Sequence, residues 1–459
     1  MLLEQEETIS AISTPPGEGG VGIVRLSGKS AIAIAAQCFR SARGNDLRAG
    51  RARVCYGHII GADGAVLDEV LVHVMRAPHS YTREDVVEIN AHGGAAPLNA
   101  ILEETLRLGA RLAAPGEFTR RAFLNGRIDL VQAEAVIDRI RARTRASLAA
   151  ANAAASGTLS TRLHQLREDL ANALARIEAA VDFPEEDLPG LVNEALFNRL
   201  RETQAAMAAL LDTADAGRLY REGAAIAIAG RPNVGKSSLF NALLRDARAI
   251  VTPAAGTTRD RLEEVINLRG IPARLVDTAG LRHTENEVER IGVGLAREAL
   301  EQAQVILLVL DATAPETPED RQLADELHRL DTPVVAVLNK TDLAPETPLP
   351  AWAGRLHAGQ AVSALTGAGL GPLEDILAKL LTGGAHLAAG QAMLNRAHQK
   401  DSLRRAVEQV AHLLDNTGAS PEFLALDLRE ALDALGEITG ETTPEDILDT
   451  IFSTFCIGK

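Results

Sequence analysis

The sequence predicts a multidomain chain of α+β and α/β type, in which a doubly wound domain interrupts a helical one and a small α+β domain precedes both. Three observations predict it. Strand-like and helical runs alternate over residues 1–125, the apolar runs 224–229 and 334–338 each end in a polar loop, and helical periodicity flanks that central segment on both sides. A length of 459 residues allows two or three domains. The expected division is 1–125, 126–219, 220–384 and 385–459, with the second and fourth segments forming two halves of one helical domain. Because domain termini often lie close together, inserting the third segment between them is the economical arrangement.

In residues 1–125 the strand-like runs are 8–14, 21–26, 54–60 and 65–74, and the helical ones are 31–39 and 98–108. Gly61-Ala62-Asp63-Gly64 reads as a hairpin turn. Glycines cluster at 17–22 and 92–94, where they allow either a ligand to approach backbone or a tight turn. Further on, Leu159, Leu163, Leu166, Leu170, Leu174, Ile177 and Val181 recur at steps of three and four, one face of a long helix. Pro184 stops it just past Asp182. Residues 390–455 are again helical in pattern.

The central segment carries the chemistry. Residues 230–237 read Gly-Arg-Pro-Asn-Val-Gly-Lys-Ser directly after the apolar run 224–229, a complete phosphate-binding loop between strand and helix. Asn233, Val234, Gly235, Lys236, Ser237 and Ser238 are its expected nucleotide contacts. Lys236 brings positive charge to the terminal phosphates and the Ser237 hydroxyl is a Mg²⁺ ligand. Asn339-Lys340-Thr341-Asp342 follows the run 334–338. The Asp342 carboxylate can accept from both the ring N–H and the exocyclic amine of guanine, a donor pair that adenine lacks. Ser363, Ala364 and Leu365, after another short apolar stretch, are positioned to close the base pocket. Asp277-Thr278-Ala279-Gly280 is the expected Mg²⁺-side and γ-phosphate-sensing loop, and Gly256-Thr257-Thr258 offers hydroxyls to complete the metal shell, Thr258 with Ser237. The order of these motifs is that of a Ras-like GTPase.

Leu281 occupies the position where Ras-type enzymes orient the attacking water with Gln. Leucine cannot hydrogen-bond, so another group must do this. Either an acid between Glu285 and Glu289 acts through a bridging water, or Asn233 and the loop 252–257 hold a monovalent cation beside the phosphates. Acidic residues also commonly begin a helix with no further role.

Net charge is −15, which excludes a general nucleic-acid-binding field. Between residues 111 and 145, however, eight arginines face four acids, a local excess able to meet phosphates or simply to solvate a helix face. From 381 onward six basic residues stand against twelve acidic ones. Three cysteines and an acidic N-terminus without a secretory signal fit a cytoplasmic protein, and no apolar run approaches membrane-spanning length.

These residues together resemble the MnmE (TrmE) family of tRNA-modification GTPases along the whole chain. The resemblance rests on residues 20–28 (Gly-Val-Gly-Ile-Val-Arg-Leu-Ser-Gly), 92–94, 115–125, 129–135, 182–187, 256–260 and 287–292, and above all on the terminal Phe-Cys-Ile-Gly-Lys at 455–459. It implies a homodimer that pairs with the FAD protein MnmG, in a heterotetramer or larger assembly, and adds an aminomethyl-type group to the wobble uridine of tRNA. The carbon would come from a tetrahydrofolate derivative (5-formyl or 5,10-methylene), with Arg25, Glu88, Arg127 and Lys459 as folate contacts and Cys456 as the terminal thiol. Arg127 departs from the family pattern, which has Lys there. The resemblance also implies a K⁺-dependent GTPase, cycling between GTP and GDP with Mg²⁺. Its K⁺ ligands would be Asn233, Thr252, the Ala254 carbonyl and Thr257, with Gly256 in the same loop and Glu289 as the acid acting through water. Two other readings compete: a ribosome-assembly switch, against which the acidic C-terminal region argues, and a scaffold whose hydrolysis gates assembly.

Overall fold

The computed structural model describes residues 7–44, 46–49, 53–182, 191–246, 263–277, 300–384 and 390–459. They form two compact units, Met1–Ile137 with Gly436–Lys459, and Asp138–Leu435. The chain is a multidomain α+β and α/β protein.

The first unit is built on a sheet of seven strands: β1 (Ile9–Ile12), β2 (Gly19–Ser27), β3 (Phe39–Ser41), β4 (Arg53–Ile60), β5 (Val66–Met75), β6 (Val86–Gly93) and β7 (Arg111–Leu112). Their order is β3-β4-β5-β6-β2-β1-β7, and only the β1–β7 pair is parallel. Side chains alternate across each strand, so Val24 and Leu26 of β2, Val70, Val72 and Val74 of β5, and Val87 and Ile89 of β6 share one buried face. Helices Ala31–Cys38 and Ala95–Arg107 cover it through Ile34 and Ile101. The same alternation turns Arg25 and Glu88, each flanked by two core residues, onto the opposite face. The expected strands fall on β1, β2, β4 and β5, while β3, β6 and β7 are additional. The hairpin turn joins β4 to β5, with Gly64 N–H donating to the Gly61 carbonyl at 2.9 Å and Gly64 at φ +82°.

In the second unit the long helix runs Thr158–Asp182, burying Leu159, Leu163, Leu166, Leu170 and Ile177. Helix Glu194–Leu211 begins at Asn193, whose side chain accepts from Leu196 N–H at 2.9 Å. It packs against helix Ala397–Asp415, so segments before and after the central domain share one helical layer. Backbones meet closely at Gly217, where an added Cβ would lie 1.9 Å from the Leu394 carbonyl oxygen. The inserted domain carries β8 (Ala224–Ala229), β9 (Glu263–Leu268), β10 (Ile271–Asp277), β11 (Val305–Asp311), β12 (Val334–Asn339) and β13 (Ala358–Ala361). The order is β13-β12-β11-β8-β10-β9, parallel except for the β9–β10 hairpin. Two apolar clusters cover the two faces, which is why β8, β11 and β12 read as continuous apolar runs rather than alternating ones.

Candidate functional site

A doubly wound sheet places its loops at the carboxyl ends of the strands, where ligands bind. The phosphate loop leaves β8 there and enters helix Lys236–Asp246. Asn233 (φ +64°) and Gly235 (φ +97°) adopt left-handed conformations that fold the loop into an amide-lined concavity suited to phosphates. Gly235 is also a close approach, since a Cβ there would lie 2.3 Å from Asn339 Nδ2. Lys236 is buried, and its Nζ donates to the carbonyls of Gly230 at 2.8 Å and Arg231 at 2.6 Å, holding the ammonium within the loop. Val234 is buried beneath the loop, while Ser237 and Ser238 lie in the first turn of the helix.

The base-side loops are bound to this one. Asn339, buried, donates from Nδ2 to the Val234 carbonyl at 3.1 Å and accepts at Oδ1 from Ala364 N–H at 3.0 Å. It therefore ties the phosphate loop to the 363–365 loop. Lys340 bridges the Asn233 carbonyl at 2.8 Å and Asp311 at 2.6 Å. Burial pushes the Asp311 carboxyl up, but hydrogen bonds from Lys340 and Thr313 outweigh it and keep the group below the usual carboxylate range. Ser363 donates to Asp342 Oδ1 at 2.6 Å, fixing the orientation of the carboxylate that would read the base. Leu365 is largely exposed, its face open at the edge of the pocket. Asp277 ends β10 in register with Ile228 of β8, beside the phosphate loop. Thr252, Ala254, Gly256, Thr257, Thr258, Thr278, Ala279, Gly280, Leu281 and Glu289 lie outside the described residues.

A second constellation forms in the first unit, on the sheet face opposite its helices. Arg25 and Glu88 are cross-strand neighbours on β2 and β6, and Arg25 Nε donates to Glu88 at 2.9 Å. The guanidinium sits 5.6 Å from the Phe118 ring centroid and 5.8 Å from that of Tyr81, while Arg127 lies 4.7 Å from the Tyr81 ring on its own account. The C-terminal tail closes over the pair. Arg25 and Ser13 both donate to the Gly458 carbonyl at 3.1 Å, and Gly116 N–H donates to the Cys456 carbonyl at 3.3 Å. Gly458 at φ +89° lies against β1, where a Cβ would come within 2.4 Å of the Ile12 carbonyl oxygen. Burial pushes the Lys459 ammonium down, with Arg25 adding to the shift. The Cys456 side chain is exposed. Arg25, Glu88, Arg127 and Lys459 thus converge from residues more than 400 positions apart.

Two family models match in sequence, "GTP-binding protein TrmE N-terminus" over residues 8–127 and "MnmE helical domain" over 130–456. The tRNA modification GTPase MnmE of Chloroflexus aurantiacus is 50% identical over 458 residues, covering 99% of this chain and 100% of that one. Those of Symbiobacterium thermophilum and Heliobacterium modesticaldum are 48% and 47% identical, each over 99% of this chain and at least 99% of their own length. The chain belongs to the MnmE family. It is a tRNA modification GTPase, and no described helix is long and apolar enough to cross a membrane.

Three residues of the nucleotide region escaped the sequence reading: Asp311, and the pair Arg231–Asp320 at 2.7 Å, which anchors the phosphate loop to helix Pro318–His328. Asp311 had a signal, an acid at the carboxyl end of a buried parallel strand. Asp320 had none, because its other contacts, from Thr317 in a capping box, look like ordinary helix capping.

Proposed function

We propose that this MnmE-family GTPase is K⁺-dependent and works with MnmG to place an aminomethyl or carboxymethylaminomethyl group on the wobble uridine of tRNA, with a folate one-carbon donor. The carrying observation is the Arg25–Glu88 pair under the C-terminal tail. A pterin presents a row of ring N–H and amine donors, and Glu88 is a carboxylate able to accept them. The half-buried Tyr81 offers an aromatic partner to a flat ring, and Arg25, Arg127 and Lys459 suit a glutamate tail. The folate, when bound, supplies the one-carbon unit. This chain's residues bind and orient it, and the tail with Cys456 shields it from one side. Homodimerisation through the first unit and a cytoplasmic location belong to the same reading.

At the nucleotide, the left-handed loop and the buried Lys236 support GTP, with Mg²⁺ at Ser237 and Thr258. K⁺ would lie at Asn233, Thr252, the Ala254 carbonyl and Thr257, and Glu289 would orient water. Leucine at 281 supports a cation in place of a Gln. The test has two arms. Arg25→Ala should weaken binding of 5-formyltetrahydrofolate by about tenfold or more by calorimetry, since a charge-assisted contact is worth about 1.5–3 kcal/mol. Turnover of GTP should rise in K⁺ and hardly at all in matched Na⁺. Unchanged folate binding removes the first arm and equal turnover in the two salts removes the second.

A further inference from the structure

Of the eight arginines between residues 111 and 145, Arg127 belongs to the site above, while Arg139, Arg141, Arg143 and Arg145 belong to neither. In the second unit, Arg141, Arg143, Arg221 and Arg274 line one open cleft of about 900 Å³, with Asp138 and Glu222 as its acids. That volume is at the upper end of the range of ligand sites, about 300–1,000 Å³. The acids have partners already. Asp138 accepts from Arg396 at 2.8 Å and from Asn395 at 3.1 Å, and Glu222 pairs with Arg221. Four arginines stand against these two acids in the lining, a net positive charge in a chain whose net charge is −15.

Its position excludes the nucleotide as occupant. Ala224 and Pro272 line it, and they stand at the amino ends of β8 and β10, whereas the phosphate loop leaves the carboxyl end of β8. The loop bearing Arg143 is also held in place. Thr144, buried, donates from Oγ1 to the Gly270 carbonyl at 2.7 Å and caps helix Arg145–Ala155 in a capping box with Ser147. Arg141 and Arg143 are exposed on either side of Ala142, and with Arg221 and Arg274 they extend positive charge along the cleft from separate elements rather than at one point. A single bound phosphate needs no such extension, while a polyanion does.

We propose that this cleft docks the phosphodiester backbone of the tRNA substrate. The arginines give sequence-independent, salt-sensitive grip, as backbone contacts do. The proposal rests on the family's tRNA substrate and is independent of the folate and K⁺ readings.

The test is binding of a tRNA transcript to the full chain across a salt series. Replacing both Arg141 and Arg143 by Ala should flatten the slope of log K against log salt by about 0.7–0.9 for each lost phosphate contact. Affinity at moderate salt should fall about tenfold for one to two such contacts, with basal GTP hydrolysis unchanged. Arg143→Lys should keep most of the slope that Arg143→Ala loses, which a folding defect would not do. Arg404→Ala with Arg405→Ala, on helix Ala397–Asp415 and outside the cleft, should leave the slope as it is. An unchanged slope in the Arg141/Arg143 variant, or a wild-type chain that does not bind tRNA, overturns the proposal. Displacement of tRNA by inorganic triphosphate at low concentration overturns it in favour of a free polyphosphate ligand.

Discussion

The nucleotide region and the tail-covered region are assembled in opposite ways. In the first, each contributing loop is contiguous in sequence and follows a strand of one sheet, parallel but for the β9–β10 hairpin, so residues 230–238, 339–342 and 363–365 arrive together once the sheet forms. Asn339 and Lys340 then lock loop to loop through the Val234 and Asn233 carbonyls. In the second, no two of Arg25, Glu88, Arg127 and Lys459 are neighbours in the chain. They meet because antiparallel register places Arg25 opposite Glu88, and because the last residues return to lie beside β1. A motif can therefore be lost by one local change in the first region, whereas the second is sensitive to changes that shift the tail.

The largest expected effect is local. Gly235→Val puts a branched side chain where a Cβ already lies 2.3 Å from Asn339, on a backbone at φ +97°. Strain of about 1–3 kcal/mol for the backbone alone lowers GTP affinity by about tenfold or more, while folate affinity stays at the wild-type value. Equal losses at both ligands would show that the two regions do not act separately. Asp342→Asn should follow, with GTP binding weakened about 10- to 100-fold and xanthosine triphosphate partly rescued, because the amide donates where xanthine carries a carbonyl. Titrating both nucleotides into both proteins checks this, and an unchanged preference for GTP would remove Asp342 from the pocket. The smaller effect concerns the second region. Gly458→Ala, at φ +89° and 2.4 Å from the Ile12 carbonyl, should weaken docking of the tail by about 1–3 kcal/mol. Hydrogen exchange at the Gly116 and Lys459 amides reads that loss directly, with GTP turnover unaltered. Unchanged protection would mean that the tail tolerates the side chain by moving locally.

The same contrast explains what the sequence made legible. The phosphate loop, the Asn339–Asp342 tetrapeptide and the long helix Thr158–Asp182 were readable because spacing and burial agree over a few residues. β6 was not, although Val87, Ile89 and Ala91 alternate with Glu88 and Asn90 as strand residues do, because Gly93 and Gly94 at its end also signal a turn. The expected last helical segment ran from 385 to 459, while residues Gly436–Lys459 form a compact unit with Met1–Ile137. Helical periodicity in Glu445–Ser453 says that a face is buried but not against which part of the chain. That face meets Phe123 and Ile128 through Phe452 and its neighbours. The convergence of Arg25, Glu88 and Lys459 followed from resemblance to the family, because nothing in the local pattern of any one of them indicates the others.

Removing residues 456–459 tests most directly the claim that the tail belongs to the one-carbon region and not to the nucleotide region. The measurement is modified wobble uridine in tRNA, by nucleoside analysis, beside K⁺-stimulated GTP turnover of the same truncated protein. The expected result is loss of modification with turnover near that of the full chain, because the tail's described contacts run to Ser13, Arg25 and Gly116. Full modification without the tail, or a collapse of GTP turnover, would contradict it.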